Sequence, residues 1–200
     1  MFTGLITARA ALVSLEKKDP PVLTLRVALD KPPAVGDSVA IDGICLTLIG
    51  RQDDLLRFQL AAPTLRLSNL QDRPAGSALN VELPLTLNGL VGGHLVSGHI
   101  DGIVRLRAAR RGAGRSRFEF TYSQREWRKF LVPRGSVALN GVSLTVSELH
   151  DTWLGVDLIP QTLASTNLGL LRPGDRANIE LDLIGKYLYN FSRTEKGRIR

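Results

Sequence analysis

The stretch "SVAIDGICLTLI" at residues 38–49 reappears as "SVALNGVSLTVS" at residues 136–147, 98 positions further along the chain. At this offset residues 38–83 align with 136–181 without a gap, and 17 of the 46 pairs are identical. Near the N-terminus the offset falls to 94, where "FTGLI" matches "VSGHI". The 200-residue chain is therefore an internal duplication, and each unit of about 90 residues is long enough for a small domain.

Each repeat contains short apolar runs separated by turns, a pattern typical of β-strands. In the first repeat the predicted strand regions are 22–29, 37–49, 55–61 and 78–85. The dipeptide "DG" (42–43) and its counterpart "NG" (140–141) interrupt their runs as hairpin or bulge signals. Several short strands per repeat predict one small β-barrel in each half.

A few short helices are expected between the strands. "TLRLSNL" (64–70) and its copy predict one or two helical turns, and "SQREWRKFL" (123–131) opens with a candidate capping box, Ser123 and Glu126. The segment "KYLYNF" (186–191) predicts a C-terminal helix. Its apolar side chains are Tyr187, Leu188 and Phe191.

The composition favours a cytoplasmic protein with a buried core. Hydrophobic residues make up 44% of the chain, and Cys45 is the only cysteine, so no intrachain disulfide can form and a reducing compartment is suitable. The apolar N-terminal stretch is interrupted by Arg9, which argues against a signal peptide. No apolar run approaches the roughly 18 residues of a membrane span. We expect no membrane partner.

The formal net charge is +7, and nine arginines and lysines fall within residues 105–129. Such a charge is compatible with a nucleic-acid partner, but no aromatic RNA-binding motif accompanies it, so we interpret it as a solvated basic surface. His94 and His99 have four residues between them and no third ligand nearby, which makes a poor zinc site. No phosphate-binding loop is present either, and we expect no metal and no cofactor.

Several motifs in order resemble the riboflavin synthase family from Met1 to about Lys186. They are "MFTGLI", "GICLT", "GGHLVSGHIDG", "NGVSLTV", "LIPQTLASTNLG" and "GDRANIE". The resemblance implies an all-β fold of two similar six-stranded Greek-key barrels and a short C-terminal helix. The implied bounds are 1–90 and 91–185 for the lumazine-binding barrels and 186–200 for the helix and tail.

The resemblance also implies a dismutation of two 6,7-dimethyl-8-ribityllumazine molecules to riboflavin and 5-amino-6-ribitylaminouracil, without a metal or redox cofactor. Each repeat would bind one lumazine, and the N-terminal barrel of one subunit would face the C-terminal barrel of a neighbour. The implied assembly is a homotrimer formed through the C-terminal helix. Lumazine, riboflavin and lumazine synthase are the implied partners.

The same resemblance implies the site residues. The candidate catalytic residues are Cys45, His99, Ser143, Ser38 and Asp182. Contacts grouped with the first barrel are Phe2, Gly4, Leu5, Ile6, Cys45, Leu46, Thr47, Gln59, Leu60, Ala61, Ala62, Pro63 and Thr64. Contacts grouped with the second barrel are Gly98, His99, Ile100, Ser143, Leu144, Thr145, Asp157, Leu158, Ile159, Pro160, Gln161 and Thr162, and Arg134 would reach a neighbouring subunit's ligand.

The chain departs from the family pattern at four positions. Pro63 replaces a glutamate, Asn140 an aspartate, Gln161 an ionisable residue and Arg134 a lysine, whose charge is kept with a different geometry. The alternative function is a non-catalytic lumazine- or flavin-binding protein of the same fold. The retained "GGHLVSGH" favours the enzyme.

The two repeats differ where chemistry is expected. The alignment sets Cys45 against Ser143, and Leu5 against His99. Two identical substrates would therefore meet unlike groups, and this difference could assign donor and acceptor roles. We hypothesise that Cys45 and His99 serve the acceptor while Ser143 and Thr145 hold the donor.

Overall fold

The N-terminal half forms a closed six-stranded barrel. The computed structural model describes the backbone of residues 1–196 and the side chains of residues 1–193; the part of the predicted tail at 197–200 lies outside the described residues. The strands are β1 (Ala8–Glu16), β2 (Val22–Arg26), β3 (Ser38–Ile41), β4 (Ile44–Gln52), β5 (Leu55–Gln59) and β6 (Ala78–Glu82). Around the barrel they run β1-β2-β5-β4-β3-β6, and every neighbouring pair is antiparallel.

The C-terminal half repeats this topology. Its strands are β7 (Gly102–Arg110), β8 (Ser116–Thr121), β9 (Ser136–Leu139), β10 (Val142–Leu149), β11 (Trp153–Leu158) and β12 (Arg176–Leu181). They close in the order β10-β11-β8-β7-β12-β9, which is the same circle with each strand replaced by its equivalent. The fold predicted from the duplication is therefore confirmed.

Within residues 1–196, three α-helices connect or follow the strands: α1 (Ala62–Leu67), α2 (Pro160–Ser165) and α3 (Leu183–Lys196). Short 3-10 turns at Asn69–Asp72 and Asn167–Leu170 follow α1 and α2, so each of these segments is helical, as expected from the one or two turns predicted there. Helix α3 begins before the segment 186–191 that predicted it. Among the described residues, no helix combines the length and the apolar character that crossing a membrane demands.

The capping box at Ser123 and Glu126 is wrong. The segment forms a 3-10 turn, Arg125–Lys129, whose N-cap is Gln124 and has no side-chain cap. The Ser123 hydroxyl instead donates to Oε1 of Gln124. Trp127 is buried in the core of the second barrel, so packing of this residue decides the local conformation.

The "DG" and "NG" signals are both two-residue hairpins. Ile41 pairs with Ile44 across the first turn, and Asp42 and Gly43 adopt φ values of +46° and +78°. Positive φ at both central residues is the geometry of a type I′ turn, which matches the twist of the flanking strands. Each barrel then buries its own apolar core.

The two barrels meet back to back at these hairpins. A Cβ atom added to Gly43 would lie 2.7 Å from the backbone nitrogen of Gly141, and the reverse substitution gives the same distance. Only glycine leaves room for backbone to approach backbone this closely.

A buried polar network surrounds this contact. Its members are Asp42, Asn69, Asn80, Asn140, Asn167 and Asn178. Under the 98-residue offset they form three equivalent pairs. Asn167 Nδ2 donates to Asp42 Oδ1 at 2.8 Å, and in the equivalent place Asn69 Nδ2 donates to Asn140 Oδ1 at 3.2 Å.

Position 42, where the first repeat has aspartate and the second has Asn140, breaks the sequence symmetry of the network. Asn140 Nδ2 donates to Asn167 Oδ1 at 3.1 Å, whereas the equivalent atoms are two oxygens, Asp42 Oδ2 and Asn69 Oδ1. Neither oxygen has a hydrogen-bond partner within the described residues. Burial raises the pKa of Asp42 to about 6, although Arg73 and the surrounding hydrogen bonds oppose that rise. A proton on Oδ2 would supply the missing donor.

Candidate functional site

Two short segments, 2–6 and 96–100, lie between the barrels. Phe2 N donates to Val96 O at 2.8 Å, and Val96 N donates to Phe2 O at 3.0 Å. Both side chains are buried against Ala40 and Ala138. Phe2 is thus a core residue at the boundary between the repeats.

Each segment crosses to the barrel of the other repeat. Ile100 belongs to the core cluster of the first barrel, and Ile6 packs against the core of the second. The sequence grouped Gly4–Ile6 with the first barrel and Gly98–Ile100 with the second. The structure reverses that grouping, because alignment identifies equivalent segments but not the barrel against which each one packs.

The crossing brings the candidate residues together. Cys45 N donates to Gly98 O at 2.8 Å, and Ser143 N donates to Gly4 O at 2.9 Å. A Cβ on Gly98 would lie 2.5 Å from Cys45 Cβ, and a Cβ on Gly4 would lie 2.5 Å from Ser143 Cβ. The glycines therefore let His99 sit beside Cys45, and Leu5 beside Ser143.

Cys45 lies on β4, opposite Ala40 of β3. The thiol is half-buried and is the only cysteine in the chain. His99 is exposed at the next position after Gly98. A thiol and an imidazole on adjacent segments could supply a nucleophile and a proton acceptor to one bound molecule.

A cavity of about 350 Å³ opens on the first barrel. Its walls are Asp19, Pro20, Thr47, Ile49, Gln59, Leu60, Ala61 and Ala62. Five of these residues were predicted from the sequence, and Asp19, Pro20 and Ile49 were not. Asp19 and Pro20 lie in the β1–β2 connection, where the repeats share no identity that could have pointed to them.

Ser143 has a partner that the sequence analysis set aside. His94 Nδ1 lies 2.7 Å from Ser143 Oγ, and burial lowers the pKa of His94 although Asp182 and Glu180 act in the opposite direction. The imidazole is therefore neutral near pH 7 and could accept the hydroxyl proton. No alignment signal could have found His94, since the 94-residue offset places its counterpart before Met1.

Serine–threonine pairs occupy equivalent places in the two barrels. Ser38 pairs with Thr47 across β3 and β4, and Ser136 pairs with Thr145 across β9 and β10. Ser136 was not predicted, although its identity with Ser38 in the alignment was the available signal.

Besides Phe2 and Ile100, three further predicted contact residues have buried side chains. Leu46, Leu60 and Leu158 are buried in the barrel cores, so only their backbone groups can reach a bound molecule. Backbone amides at strand ends can nevertheless recognise the polar edge of a ring. Leu144 and Ile159 are not fully buried, and Ile159 is 58% exposed.

Helices α1 and α2 carry the remaining predicted contacts. Thr64 and Thr162 are half-buried at equivalent positions, one residue after Pro63 and Gln161. Proline in the first turn leaves α1 intact, because that N–H has no partner inside the helix.

The carboxylates of the second barrel are already engaged. Asp157 Oδ1 accepts from Arg117 Nε at 2.8 Å, which holds the pKa of Asp157 below its usual range. Asp182 Oδ1 accepts from Ile184 N at 2.8 Å and so caps α3. Arg134 is exposed, has a φ of +67° and donates its backbone N–H to Val146 O.

Several arginines of the basic segment are paired. Arg107 Nε lies 2.9 Å from Glu119 Oε2, and Arg117 Nη1 lies 2.6 Å from Glu148 Oε2. These contacts favour an ion-paired barrel surface over a nucleic-acid site. In the part of the chain that the structure describes, no group of three or more histidine, cysteine or acidic side chains is arranged to hold a metal ion.

Comparison with known proteins identifies both halves. The model of the lumazine binding domain matches residues 3–84 and again 97–182. The chain is 34% identical to riboflavin synthase from Bacillus amyloliquefaciens over 194 residues, or 96% of this chain and 89% of that protein. It is 36% identical to riboflavin synthase from Escherichia coli (strain K12) over 186 residues, or 91% of this chain and 87% of that protein.

Solved structures share the same fold. The crystal structure of LumP complexed with riboflavin has a TM-score of 0.83 at 20% sequence identity and covers 90% of this chain and 99% of that one. LumP complexed with 6,7-dimethyl-8-(1'-D-ribityl) lumazine has a TM-score of 0.81, also at 20% identity, with coverages of 90% and 98%.

Proposed function

The chain belongs to the riboflavin synthase family, and from this membership we propose that it converts two 6,7-dimethyl-8-ribityllumazine molecules into riboflavin and 5-amino-6-ribitylaminouracil. One lumazine gives up a four-carbon unit and the other receives it, so the atoms balance without an oxidant or a second substrate. The observation that carries this proposal is the pair of equivalent but unlike sites, Cys45 with Gly98 and Ser143 with Gly4.

The duplicated fold suits a reaction between two copies of one molecule. Two similar barrels that each bind one lumazine can present the rings to one another in a fixed orientation. Fixing two reactants in this way removes translational and rotational freedom before the reaction, which is a large part of many rate enhancements. The polypeptide then needs to supply only a nucleophile and proton transfers.

Cys45 and His99 serve the acceptor lumazine in this proposal. A thiolate is a far better nucleophile than a serine hydroxyl near neutral pH, so Cys45 is suited to add to C7 of the ring. The cavity beside Thr47 and Gln59 supports a ligand site at this barrel.

Ser143 and Thr145 hold the donor lumazine. The neutral imidazole of His94 can accept a proton through Ser143 Oγ, and the donor must lose a proton from its acidic C7 methyl group. Ser38 and Asp182 complete the proposed catalytic set, with Ser38 beside Thr47 and Asp182 at the start of α3. The proposed substrate contacts are those named from the sequence.

Helix α3 supports a homotrimer as the working assembly. Tyr187, Leu188 and Phe191 are 58%, 64% and 63% exposed, and a monomer would leave this apolar face in water. In the trimer, the first barrel of one subunit faces the second barrel of its neighbour. A cytoplasmic location and an association with lumazine synthase belong to the same proposal, and the lone cysteine suits the former.

The test is to mix purified protein with the ribityllumazine alone and to follow riboflavin by its fluorescence. Stoichiometric formation of riboflavin from half of the lumazine is expected. Tight lumazine binding without product would favour the non-catalytic lumazine- or flavin-binding alternative. Salt-dependent binding of nucleic acid in place of lumazine would refute both.

A further inference from the structure

Two glutamates are buried at the ends of equivalent strands. Glu82 ends β6 and is 4% exposed, and Glu180 lies near the end of β12 and is 2% exposed. Neither side chain forms a salt bridge with another described residue. A buried carboxylate without a counter-ion is unfavourable unless several hydrogen bonds satisfy it, and burial raises the pKa of Glu82 accordingly.

Both glutamates bind the segments 2–6 and 96–100, which we call the crossing segments. Glu180 Oε1 accepts from Ser97 N and Ser97 Oγ, each at 2.7 Å, while Oε2 accepts from Gly98 N at 3.0 Å. Glu82 accepts from Thr3 N at 2.7 Å, from Thr3 Oγ1 at 3.1 Å and from Gly4 N at 3.1 Å. Each carboxylate thus clamps the two residues that precede His99 or Leu5. We call these contacts the Glu180 clamp and the Glu82 clamp.

The Glu180 clamp determines how His99 is held. Gly98 donates its N–H to Glu180 and accepts from Cys45 N–H with its carbonyl, so both sides of this residue are fixed. The Ser97 hydroxyl donates to Glu180 and accepts from His99 N–H at 3.1 Å. A continuous set of hydrogen bonds therefore connects the buried carboxylate, the backbone of His99 and the backbone of Cys45.

We propose that Glu180 is a positioning residue for the reaction, which holds His99 in register with Cys45 from inside the second barrel. This inference rests on the proposed function. Glu82 is its structural equivalent on the Ser143 side, where the clamped segment presents Leu5 and no titratable group.

A carboxylate is required for this clamp. Three donors converge on two oxygens of Glu180, and a glutamine would direct an N–H₂ group at one of them. Such a variant would lose at least one hydrogen bond and create a repulsive donor–donor contact. The matched pair Glu180→Gln and Glu82→Gln makes the same chemical change in two equivalent clamps, only one of which carries a histidine.

Steady-state kinetics of both variants in the full-length protein test the proposal. We expect Glu180→Gln to lower kcat roughly ten- to hundred-fold with a small change in KM, since displacement of a catalytic group by about 1 Å can have effects of this size. Glu82→Gln should mainly raise KM. If both variants lose kcat equally, and their melting temperatures fall equally, the effect of Glu180 is only structural and the proposal is overturned.

Two further measurements make the outcome decisive. The imidazole NMR signals of His99 should shift in Glu180→Gln and stay in place in Glu82→Gln, while those of His150 serve as an internal control. In a double-mutant cycle, Glu180→Gln should add little to the effect of His99→Ala on kcat. Full additivity would show that Glu180 does not act through His99.

A milder variant covers the case in which Glu180→Gln fails to fold. Ser97→Ala leaves both backbone bonds to Glu180 but removes the hydroxyl that receives His99 N–H, and Thr3→Val is its counterpart. A kcat loss confined to Ser97→Ala supports the clamp. Turnover by the wild-type protein tests the proposed function separately. If the wild type is active and kcat is normal in both Ser97→Ala and Glu180→Gln, the positioning role of Glu180 is refuted and the proposed function stands.

Discussion

Replacing Asp42 with asparagine would give both repeats the same side chains in the buried network between the barrels. An asparagine at this position can donate from Nδ2 to Asn69 Oδ1, as Asn140 already donates to Asn167. It can still accept from Asn167 through Oδ1, where Asp42 accepts at 2.8 Å. The variant therefore converts two facing acceptors into a hydrogen bond.

The expected change in the free energy of unfolding follows from the pKa of Asp42. Folding raises this pKa to about 6, against about 3.9 for an unfolded chain, and each pH unit of difference corresponds to about 1.4 kcal/mol. At pH 7 and above, the ionised carboxylate thus lowers the free energy of unfolding by about 3 kcal/mol relative to the protonated form. Because Arg73 Nη2 lies 4.0 Å from Asp42 Oδ2 and loses this partner, we expect a net gain of about 1–3 kcal/mol.

The stability that Asp42→Asn gains over the wild type must increase as the pH rises. The pKa of Asp42 is higher in the folded protein than in the unfolded chain. Its contribution to stability is therefore fully present below the pKa of the unfolded chain and is lost as the pH rises through about 6. Asp42→Asn lacks the titrating group. The two proteins should therefore differ little in stability near pH 4, and the variant should be the more stable one above pH 6.

Urea unfolding at pH 4.5, 6 and 7.5 measures this difference, and Asn140→Asp is the matched control because it adds a second carboxyl to the same network. That control should be destabilised at pH 7.5. A variant Asp42→Asn that is less stable than wild type at pH 7.5, or whose advantage does not change with pH, would refute the assignment of a proton to Asp42.

Five other predictions concern the site and the assembly. Cys45→Ser should lower turnover at saturating lumazine by at least about tenfold while binding persists; unchanged turnover would remove the thiol from the mechanism. Ser143→Ala should mainly weaken binding at the second barrel, as measured by calorimetry. His94→Gln should weaken the same binding by only a few-fold, since it alters about one hydrogen bond. Leu188→Glu with Phe191→Glu should dissociate the oligomer in light scattering and abolish activity; a fully active monomer would contradict the shared site. Chelator treatment should leave turnover unchanged, and restoration by zinc after a loss would contradict cofactor-free chemistry.

The barrel fold could be predicted because the duplication repeated the strand and turn signals in both halves of the chain. The hairpin at Asp42–Gly43 was confirmed by its copy at Asn140–Gly141, and strand segments aligned in both repeats without a gap. The capping box at Ser123 had no copy, and there tertiary packing of Trp127 overrode the local pattern. Local sequence alone is a weak guide where burial decides the conformation.

The site could be predicted only as a set of residues. Cys45, Ser143 and His99 were named as candidate site residues, and the expectation that His99 lies near Cys45 agrees with the hydrogen bond from Cys45 N to Gly98 O. The segments 4–6 and 98–100, however, pack against the barrels opposite to those with which they were grouped. Sequence alignment reports equivalence and contains no information on which side of the boundary a segment packs. His94 was missed because its contact with Ser143 arises from the fold and has no counterpart in the first repeat.

The close approach of Gly43 and Gly141 has a consequence for how such a duplicated chain can evolve. Each glycine occupies the space that a side chain on the other would fill, so a substitution at either glycine would strain both repeats. Around the candidate sites, by contrast, aligned residues already differ, as Cys45 does from Ser143 and Leu5 from His99. A duplicated chain of this kind keeps the same glycine in both repeats at the contact between the barrels. The residues of its two candidate sites can diverge, and the two halves can then take on different roles.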